Sequence, residues 1–224
     1  MKRPECEVWT AEVAARRPVH DSLLDEAELA RVDAMHRPLD RARFVVGAAV
    51  LKCAVAVHAG CPASSVHVDR RCQTCGGQHG RPRVPGTDLH VSVSHSGPLV
   101  VVALTDAAPV GVDIEYRVTN RLLPAARDVV TASEPIVGPG DLLTYWCRKE
   151  SVVKATGDGV RVPLREVVVS PADERARLVS FRGQPLSAFV TDLDLGAAYA
   201  AALTILSPDE ITIRIRPAAL LLAG

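Results

Sequence analysis

Aromatic side chains are scarce in this sequence, which has three Phe, three Tyr and two Trp among 224 residues. Aliphatic side chains must therefore supply most of the hydrophobic core, and the chain is long enough to form one large domain or two small ones. Acidic and basic residues balance at 26 each. Because no excess of positive charge favours nonspecific binding to nucleic acid, we expect no nucleic-acid partner.

Long apolar runs and targeting signals are also lacking. No stretch approaches the ~18 uninterrupted apolar residues of a membrane-spanning helix. The first ten residues carry charges and no long apolar segment, unlike a secretory signal. The cysteines, at positions 6, 53, 61, 72, 75 and 147, are too sparse for a secreted disulfide framework. The sequence therefore predicts a cytoplasmic protein with reduced thiols and no membrane partner.

The pattern of apolar residues gives each half of the chain one long helix and several strands. The helices are predicted over 40–59 and 141–157, with Asp40 and Asp141 as caps. Strands are expected over 91–96, 99–105 and 110–116, and four or five more over 164–216. We therefore predict an α+β fold of two subdomains, residues 1–110 and 111–224.

Two carboxylates, Asp113 and Glu115, alternate with apolar residues along one predicted strand. Alternate side chains share a face of a strand, so these two point the same way. Neighbouring carboxylates repel unless a cation or proton intervenes, and a hard ion such as Mg²⁺ prefers oxygen ligands. An ordinary strand with a solvated outer face explains an isolated pair of this kind equally well.

Trp146, Glu150 and Lys154 recur every fourth residue and so lie on nearly one face of the second long helix. A surface ion pair between Glu150 and Lys154, worth only ~0.3–0.5 kcal/mol, is one interpretation of this spacing. The other is functional. Glu150 could complete a three-carboxylate magnesium site, and Lys154 could face a phosphate leaving group.

Four further side chains are candidates for binding an anion. Ser94 and His95 end a strand in a turn of small residues, where a hydroxyl and an imidazole can reach a phosphate. Arg43 lies in the first turns of the predicted helix 40–59, where the helix dipole favours acids unless an anion is bound nearby. Arg81, between a glycine and a proline, is a candidate clamp on a constrained loop.

The order of these motifs resembles that of the surfactin-type 4′-phosphopantetheinyl transferases over about residues 40–160. The matching elements are Arg43, the triplet Gly80-Arg81-Pro82, the run Ser94-His95-Ser96-Gly97, the run Gly111-Val112-Asp113-Ile114-Glu115, and the helical pattern Trp146-x-x-Lys149-Glu150-x-x-x-Lys154-x-x-Gly157. The last two are highly specific in combination. The resemblance implies a pseudo-twofold pair of α+β subdomains, each a small mainly antiparallel sheet on a long helix, with coenzyme A in the cleft between them.

The resemblance also implies residue roles. Asp113, Glu115 and Glu150 would bind Mg²⁺ with the diphosphate of coenzyme A, and Glu150 would deprotonate the acceptor serine of an apo carrier protein. Lys154 would contact the diphosphate and protonate the departing 3′,5′-ADP. The residues expected to hold the 3′-phosphoadenosine end, on the side of subdomain 1–110, are Arg43, Arg81, Ser94 and His95. The expected partners are coenzyme A and an acyl, polyketide or peptidyl carrier protein, and the implied state is a monomer.

The sequence departs from the family pattern at two places. Arg81 replaces a frequent lysine, which keeps the charge but not the shape. The stretch between Glu115 and Trp146 is short, and Val130 precedes Ser133-Glu134 where relatives have a Phe before an acid. Because relatives use this second segment to hold the carrier protein, the resemblance does not identify the carrier-binding surface of this chain. A catalytically inactive relative that only binds coenzyme A or a carrier protein is the alternative function, although it would not need the whole acidic and lysine set.

Cys72 and Cys75, followed by His79, have part of the spacing of a zinc site. A fourth ligand is not apparent nearby, and the candidates that could fold back are Cys61, His67 and His90. A glycine-rich turn that carries Arg81, with reduced thiols, is the preferred interpretation. A redox pair is disfavoured because such a motif opens a helix, and here two glycines follow instead.

Overall fold

A computed structural model of the chain describes residues 4–72, 74–117 and 126–222, without the side chains of residues 126 and 127. The chain divides into two compact units. The N-terminal unit comprises Pro4–Ala107 and the segment that begins at Ile213, and the C-terminal unit comprises Ala108–Thr212. Helices and antiparallel strands occur in both units, which confirms the α+β class.

The strands are β1 Glu5–Glu12, β2 His90–Ser96, β3 Leu99–Thr105, β4 Val110–Tyr116, β5 Val167–Val169, β6 Leu178–Phe181, β7 Phe189–Asp192, β8 Tyr199–Ile205 and β9 Thr212–Pro217. The helices are α1 Glu26–Asp33, α2 Pro38–Ala59, α3 Ala126–Val129 and α4 Asp141–Thr156. The sequence also predicts a helix over 121–134, which is reduced to α3 and turns among the residues described there. Its first part, 121–125, lies outside the described residues.

The N-terminal unit is a four-stranded sheet in the order β2-β3-β1-β9, with α2 packed against it. Gly47 lets the helix approach closely, because a Cβ there would lie 3.3 Å from a methyl carbon of Val93 and 3.4 Å from one of Val100. The core is aliphatic, as the shortage of aromatic residues predicts. Its members include Val46, Val50 and Leu104.

Helix α2 is long and apolar enough to cross a membrane by length and composition alone. Residues 44–52, near its middle, are all buried within the unit, as in a core helix of a soluble domain. The helix begins at Pro38, and no side chain caps it, so the prediction that Asp40 is the cap is wrong. Asp40 instead lies inside the first turn and accepts a hydrogen bond from Arg43 Nη1 at 3.0 Å.

The C-terminal unit is built on a three-stranded sheet in the order β4-β8-β7, on which α4 packs. Gly157, with a φ of +81°, ends α4 as predicted. Asp141 is its first residue rather than its cap. The Asp141 carboxylate accepts the backbone N–H groups of Val137 and Gly138 at 2.8 and 2.7 Å, and so fixes the loop that precedes the helix.

Gly111 on β4 decides how closely α4 can approach the sheet. A methyl group at this position would overlap the carbonyl oxygen of Ser151 and lie 2.5 Å from the backbone nitrogen of Ala155. Both are backbone atoms of α4, which cannot move without shifting the helix. The contact therefore sets the spacing between the helix that carries Glu150 and the strand that carries Asp113.

The substitution Gly111→Ala is expected to lower the free energy of unfolding by about 3 kcal/mol, the upper end of the usual cost of overpacking. Urea denaturation measures the change. Gly138→Ala is the matched control, because its Cβ would meet nothing closer than 3.4 Å. Equal stability of the two variants would show that the approach of α4 to β4 does not depend on glycine.

Candidate active site

The face of β4 that carries Asp113 and Glu115 is covered by α4 rather than exposed to solvent. Gly111, Asp113 and Glu115 alternate along β4, and Gly111 contacts the backbone of α4. Asp113 is only 5% exposed, and Glu115 is half-buried. The interpretation as an ordinary solvated face is therefore wrong, and burial of a carboxylate requires compensating partners.

Lys154 on α4 supplies one of those partners. Its Nζ lies 2.6 Å from Oδ1 of Asp113 and donates to the carbonyl oxygen of Val112 at 3.0 Å. The Asp113 side chain is 7% exposed and that of Lys154 is 30% exposed. The lysine therefore links helix α4 to strand β4. A surface ion pair between Glu150 and Lys154 would not explain this contact.

Glu150 shares the electrostatic environment of this pair. Burial raises the pKa of the Glu150 carboxyl above its ordinary value, and the charges of Asp113 and Glu115 raise it further. Lys154 acts in the opposite direction on the same pKa. The fold thus brings the three predicted acids and the predicted lysine into one electrostatic cluster, although the acids come from a strand and a helix far apart in sequence.

The thiol of Cys147 lies beneath this cluster. Burial raises its pKa well above the ordinary value, and the charges of Asp113 and Glu115 act in the same direction. The sulfur donates to the carbonyl oxygen of Ala200 on β8 at 3.3 Å. Cys147 therefore stays protonated and does not act as a nucleophile.

Glu150 also faces an open groove of about 410 Å³ within the C-terminal unit. Trp146, Val160 and Val162 contribute apolar walls to this groove. The predicted helical face of Trp146 and Glu150 thus opens onto a space that a substrate can enter. An acid that lines a groove and has a raised pKa is suited to exchange a proton with a bound group.

The three carboxylates have the donor chemistry of a site for a hard divalent cation, but among the described residues their oxygens do not all lie within 4.8 Å of one another. They offer only oxygen ligands, which is the donor set that Mg²⁺ prefers. Burial is the largest cause of the raised pKa of Glu150, and among the charges that act on this pKa Asp113 outweighs Lys154, so part of the negative charge stays uncompensated. A divalent cation would supply that compensation.

In the N-terminal unit, Arg43 is tied to the turn that follows Ser94 and His95. Its Nε and Nη2 donate to the carbonyl oxygen of Gly97, at 3.0 and 2.7 Å. Gly97 has a φ of +54°, a conformation that glycine adopts at little cost. Ser94 is buried and His95 is exposed. The fold therefore places Arg43 close to the end of β2, beside two of the predicted anion-binding residues.

Arg81 lies half-buried on the segment that leads back toward β2. Burial holds the pKa of its guanidinium below the usual value, and Arg83 lowers it further. Its charge also lowers the pKa of His90, after the larger effect of burial on that imidazole. Arg81 is thus within electrostatic reach of the start of β2.

Two buried charges on α4 were missed by sequence reasoning. Arg148 is fully buried and forms an ion pair with Asp192, with Nη2 and Oδ2 2.6 Å apart. Lys149 Nζ lies 2.6 Å from Glu134 Oε2, and both side chains are fully buried. Lys149 is one of four lysines and belongs to the helical pattern that resembles the family, but neither signal assigned it to the core.

Residues 109–204 match the sequence model of the 4′-phosphopantetheinyl transferase superfamily. The matched segment lies inside the C-terminal unit. It contains all four members of the electrostatic cluster: Asp113, Glu115, Glu150 and Lys154.

Curated proteins named 4′-phosphopantetheinyl transferases are also similar to parts of the chain. The 4′-phosphopantetheinyl transferase HetI of Nostoc is 28% identical over 193 residues, which cover 80% of this chain and 78% of that protein. A 4′-phosphopantetheinyl transferase of Bacillus subtilis is 27% identical over 140 residues, or 59% of this chain and 62% of that protein. The Sfp transferase of the same species is 34% identical over 95 residues, which cover 42% of its length.

Proposed function

Since residues 109–204 match the sequence model of the 4′-phosphopantetheinyl transferase superfamily, we propose that the protein transfers the phosphopantetheine arm of coenzyme A to a serine of an apo carrier protein. The 3′,5′-ADP part of the coenzyme leaves. The single observation that carries this proposal is the cluster of Asp113, Glu115, Glu150 and Lys154, which lies inside the segment that matches the superfamily.

Asp113, Glu115 and Glu150 are the residues that would hold Mg²⁺. When bound, the cation offsets the negative charge of the coenzyme diphosphate and aligns the attacked phosphorus. The all-oxygen donor set and the raised pKa of Glu150 support this assignment.

Glu150 would take the proton from the serine hydroxyl as the serine oxygen forms a bond to the β-phosphorus of coenzyme A. A serine hydroxyl is a weak nucleophile, so a base within reach is needed. The position of Glu150 at the edge of an open groove supports this role, because the acceptor serine must come from another protein.

Lys154 would give a proton to the oxygen that leaves as the bond between phosphorus and 3′,5′-ADP breaks. An ammonium can release a proton, whereas a guanidinium remains charged. The two hydrogen bonds that Lys154 makes to β4 fix its position beside Asp113. This arrangement supports a lysine aimed at the diphosphate rather than a mobile surface lysine.

The residues proposed to hold the 3′-phosphoadenosine end belong to the N-terminal unit and are Arg43, Arg81, Ser94 and His95. Arginine suits a terminal phosphate because its fork donates two hydrogen bonds together. The link from Arg43 to the turn after β2 supports a shared role for Arg43, Ser94 and His95. A coenzyme cleft between two pseudo-symmetric halves, a monomeric state and a cytoplasmic location all stay predictions.

The test is to incubate the purified full-length protein with coenzyme A, Mg²⁺ and a panel of apo fatty-acid, polyketide and peptidyl carrier proteins. We expect a mass gain of about 340 Da on at least one carrier, the mass of the transferred arm in this type of transfer. The gain should disappear when the carrier serine is replaced by alanine. Omission of Mg²⁺ tests the metal assignment separately.

The alternative, an inactive relative that binds coenzyme A or a carrier protein, predicts binding without a mass gain on any carrier. The full set of three acids and a lysine argues against it, because a binding module needs no base and no proton donor. Absence of transfer to every carrier, with coenzyme A binding retained, would establish this alternative instead.

A further inference from the structure

The loop that follows Asp69 in the N-terminal unit brings together three side chains that can bind a metal. The two Sγ atoms of Cys72 and Cys75 and a ring nitrogen of His79 all lie within 4.8 Å of one another. Among residues 4–72, 74–117 and 126–222, no other group of three or more Cys, His, Asp or Glu ligands has its ligand atoms this close together. Nε2 of His79 is 2.9 Å from Sγ of Cys75.

These distances are close to those of a tetrahedral zinc site. With Zn–S bonds of about 2.3 Å and Zn–N bonds of about 2.0–2.1 Å, neighbouring ligand atoms lie about 3.5–3.8 Å apart. Small movements of exposed side chains span the difference, because Cys75 and His79 are both at the surface. Two thiolates with one imidazole are soft and borderline ligands, which favour Zn²⁺ over Mg²⁺ or Ca²⁺.

The backbone of the loop is built around the Cys72 sulfur. The N–H groups of Cys75 and Thr74 donate hydrogen bonds to it, and these bonds lower the pKa of the thiol. The backbone N–H of Cys72 donates to the Gly77 carbonyl oxygen at 2.8 Å, and that of Gly76 donates to the Cys72 carbonyl oxygen at 2.9 Å. The turn therefore stabilises a thiolate, the form of cysteine that binds a metal.

Gly77 keeps the space between the ligands open. A Cβ at this position would lie 3.1 Å from a ring carbon of His79 and 3.4 Å from the sulfur of Cys75. Gly76, with a φ of +74°, adopts the left-handed conformation that lets the loop turn back. The two glycines therefore let the loop turn back on itself and bring the three ligands together.

We propose that Cys72, Cys75 and His79 bind one Zn²⁺, with a water molecule as the fourth ligand. Binding releases a proton from each thiol that still carries one. A disulfide between the two cysteines is the competing arrangement, but it does not explain why His79 lies 2.9 Å from Cys75. Of the candidates for a fourth protein ligand, His67 lies beside another group, with its Nδ1 3.5 Å from a carboxylate oxygen of Asp25.

The site would fix the loop that carries Arg81. On either side of the ligands, Asp69 and Arg83 pair as antiparallel residues, and the N–H of Gly80 donates to the Arg70 carbonyl oxygen at 2.7 Å. A Cβ on Gly80 would lie 2.6 Å from the Arg71 carbonyl oxygen, so the two arms are in close contact. A zinc ion at the tip would close this hairpin-like loop and reduce its freedom.

The first test measures zinc in the full-length protein, purified without chelator, by elemental mass spectrometry. We expect about one zinc per chain in the wild type and in Cys53→Ser, a control thiol on α2 outside the loop, as for a saturated site. Cys75→Ser and His79→Ala should lose most of it while circular dichroism stays unchanged. Replacement by Co²⁺ should give the sulfur-to-cobalt absorption of a tetrahedral thiolate site.

Two results of these metal and thiol measurements would overturn the proposal. One is zinc or cobalt binding in Cys75→Ser equal to that of the wild type. The other is a wild-type protein without metal in which thiol titration shows a disulfide involving Cys72 and Cys75. Glu150→Gln should retain its zinc, so failure of the zinc proposal and failure of the proposed transferase activity are measured independently. Amide hydrogen exchange of residues 70–80 should slow when zinc is added, and unchanged exchange would also contradict the proposal.

Discussion

Replacing Glu150 by glutamine is expected to abolish phosphopantetheine transfer while leaving the protein folded. Glutamine keeps the size of the side chain but cannot accept the serine proton, and loss of a general base costs about 10²–10⁴-fold in rate. Because Glu150 is also a proposed magnesium ligand, the loss in kcat should reach the upper part of that range. The carrier-protein mass assay under single-turnover conditions measures it.

The same substitution is expected to stabilise the protein at neutral pH in magnesium-free buffer. The pKa of Glu150 is raised in the folded state, so folding disfavours its ionised form. The contribution of Glu150 to the stability of the wild type is therefore greatest below the ordinary pKa of a glutamate and is lost as the pH rises through the raised value. Glutamine resembles the protonated form, and Glu150→Gln escapes this loss. Thermal unfolding at acidic and neutral pH compares the two proteins.

Glu166→Gln serves as the control for both measurements, because Glu166 is exposed and outside the cluster. It should change neither the transfer rate nor the pH dependence of stability. Transfer by Glu150→Gln at the wild-type rate would remove Glu150 from the mechanism. A lower melting temperature of Glu150→Gln at neutral pH would contradict the inferred repulsion among the three acids.

The pH dependence of transfer follows from the same shift. A base must be ionised to act, so the raised pKa of Glu150 moves the acidic limb of the rate profile to higher pH than an ordinary glutamate would give. A bound cation opposes this shift, because positive charge favours the ionised carboxylate. Raising the magnesium concentration should therefore move the limb back toward lower pH.

Glu134→Gln is expected to destabilise the protein by about 3–5 kcal/mol, the cost of breaking a buried ion pair from one side. Oε2 of Glu134 accepts from Lys149 Nζ at 2.6 Å and from the Thr131 N–H at 2.8 Å, while Oε1 accepts the Val169 N–H at 2.9 Å. Both oxygens face donors. An amide NH₂ group must therefore oppose a donor in either orientation, and Lys149 loses its countercharge.

The exposed pair Arg175–Glu210, with atoms 2.6 Å apart, provides a control of equal geometry. Glu210→Gln should cost less than about 1 kcal/mol, because solvent screens exposed pairs. Urea denaturation gives both free energies. In a Lys149→Met background the cost of Glu134→Gln should fall, since the unpaired lysine is gone. Equal costs in the two backgrounds would show that Lys149 and Glu134 are not coupled.

Most of the regular structure follows from local pattern. The long helices and the strands at 90–105 and 110–116 have strong periodicity, and the structure confirms them within a few residues. All five strands after residue 164 were also expected. The predicted N-caps of both long helices were wrong. Asp40 and Asp141 lie inside the first turn and bind neighbouring groups from there, rather than from the residue before the helix.

The weakest predictions concern charged residues. Arg148, Lys149 and Glu134 are all fully buried, although charged residues are normally assigned to the surface. Lys149 and Glu134 are buried together, whereas Arg148 pairs with the exposed carboxylate of Asp192, and neither pair consists of sequence neighbours. No local pattern records such a pairing, so only the packed structure reveals that these charges belong to the core.

The sequence alone determined which chemical groups this protein has and how they are spaced: two acids on alternate strand positions, an acid and a lysine one helical turn apart, and two cysteines near a histidine. Which of these residues share a face of a helix or strand follows from the fixed periods of the two structures. The tertiary structure decided which of them meet. The absence of a side chain at Gly111 lets α4 lie against β4, so Lys154 reaches Asp113 and Glu150 feels both strand acids. Likewise, the turn at Gly76 and Gly77 brings three ligands to one point, because contacts between distant residues depend on packing and not on local spacing.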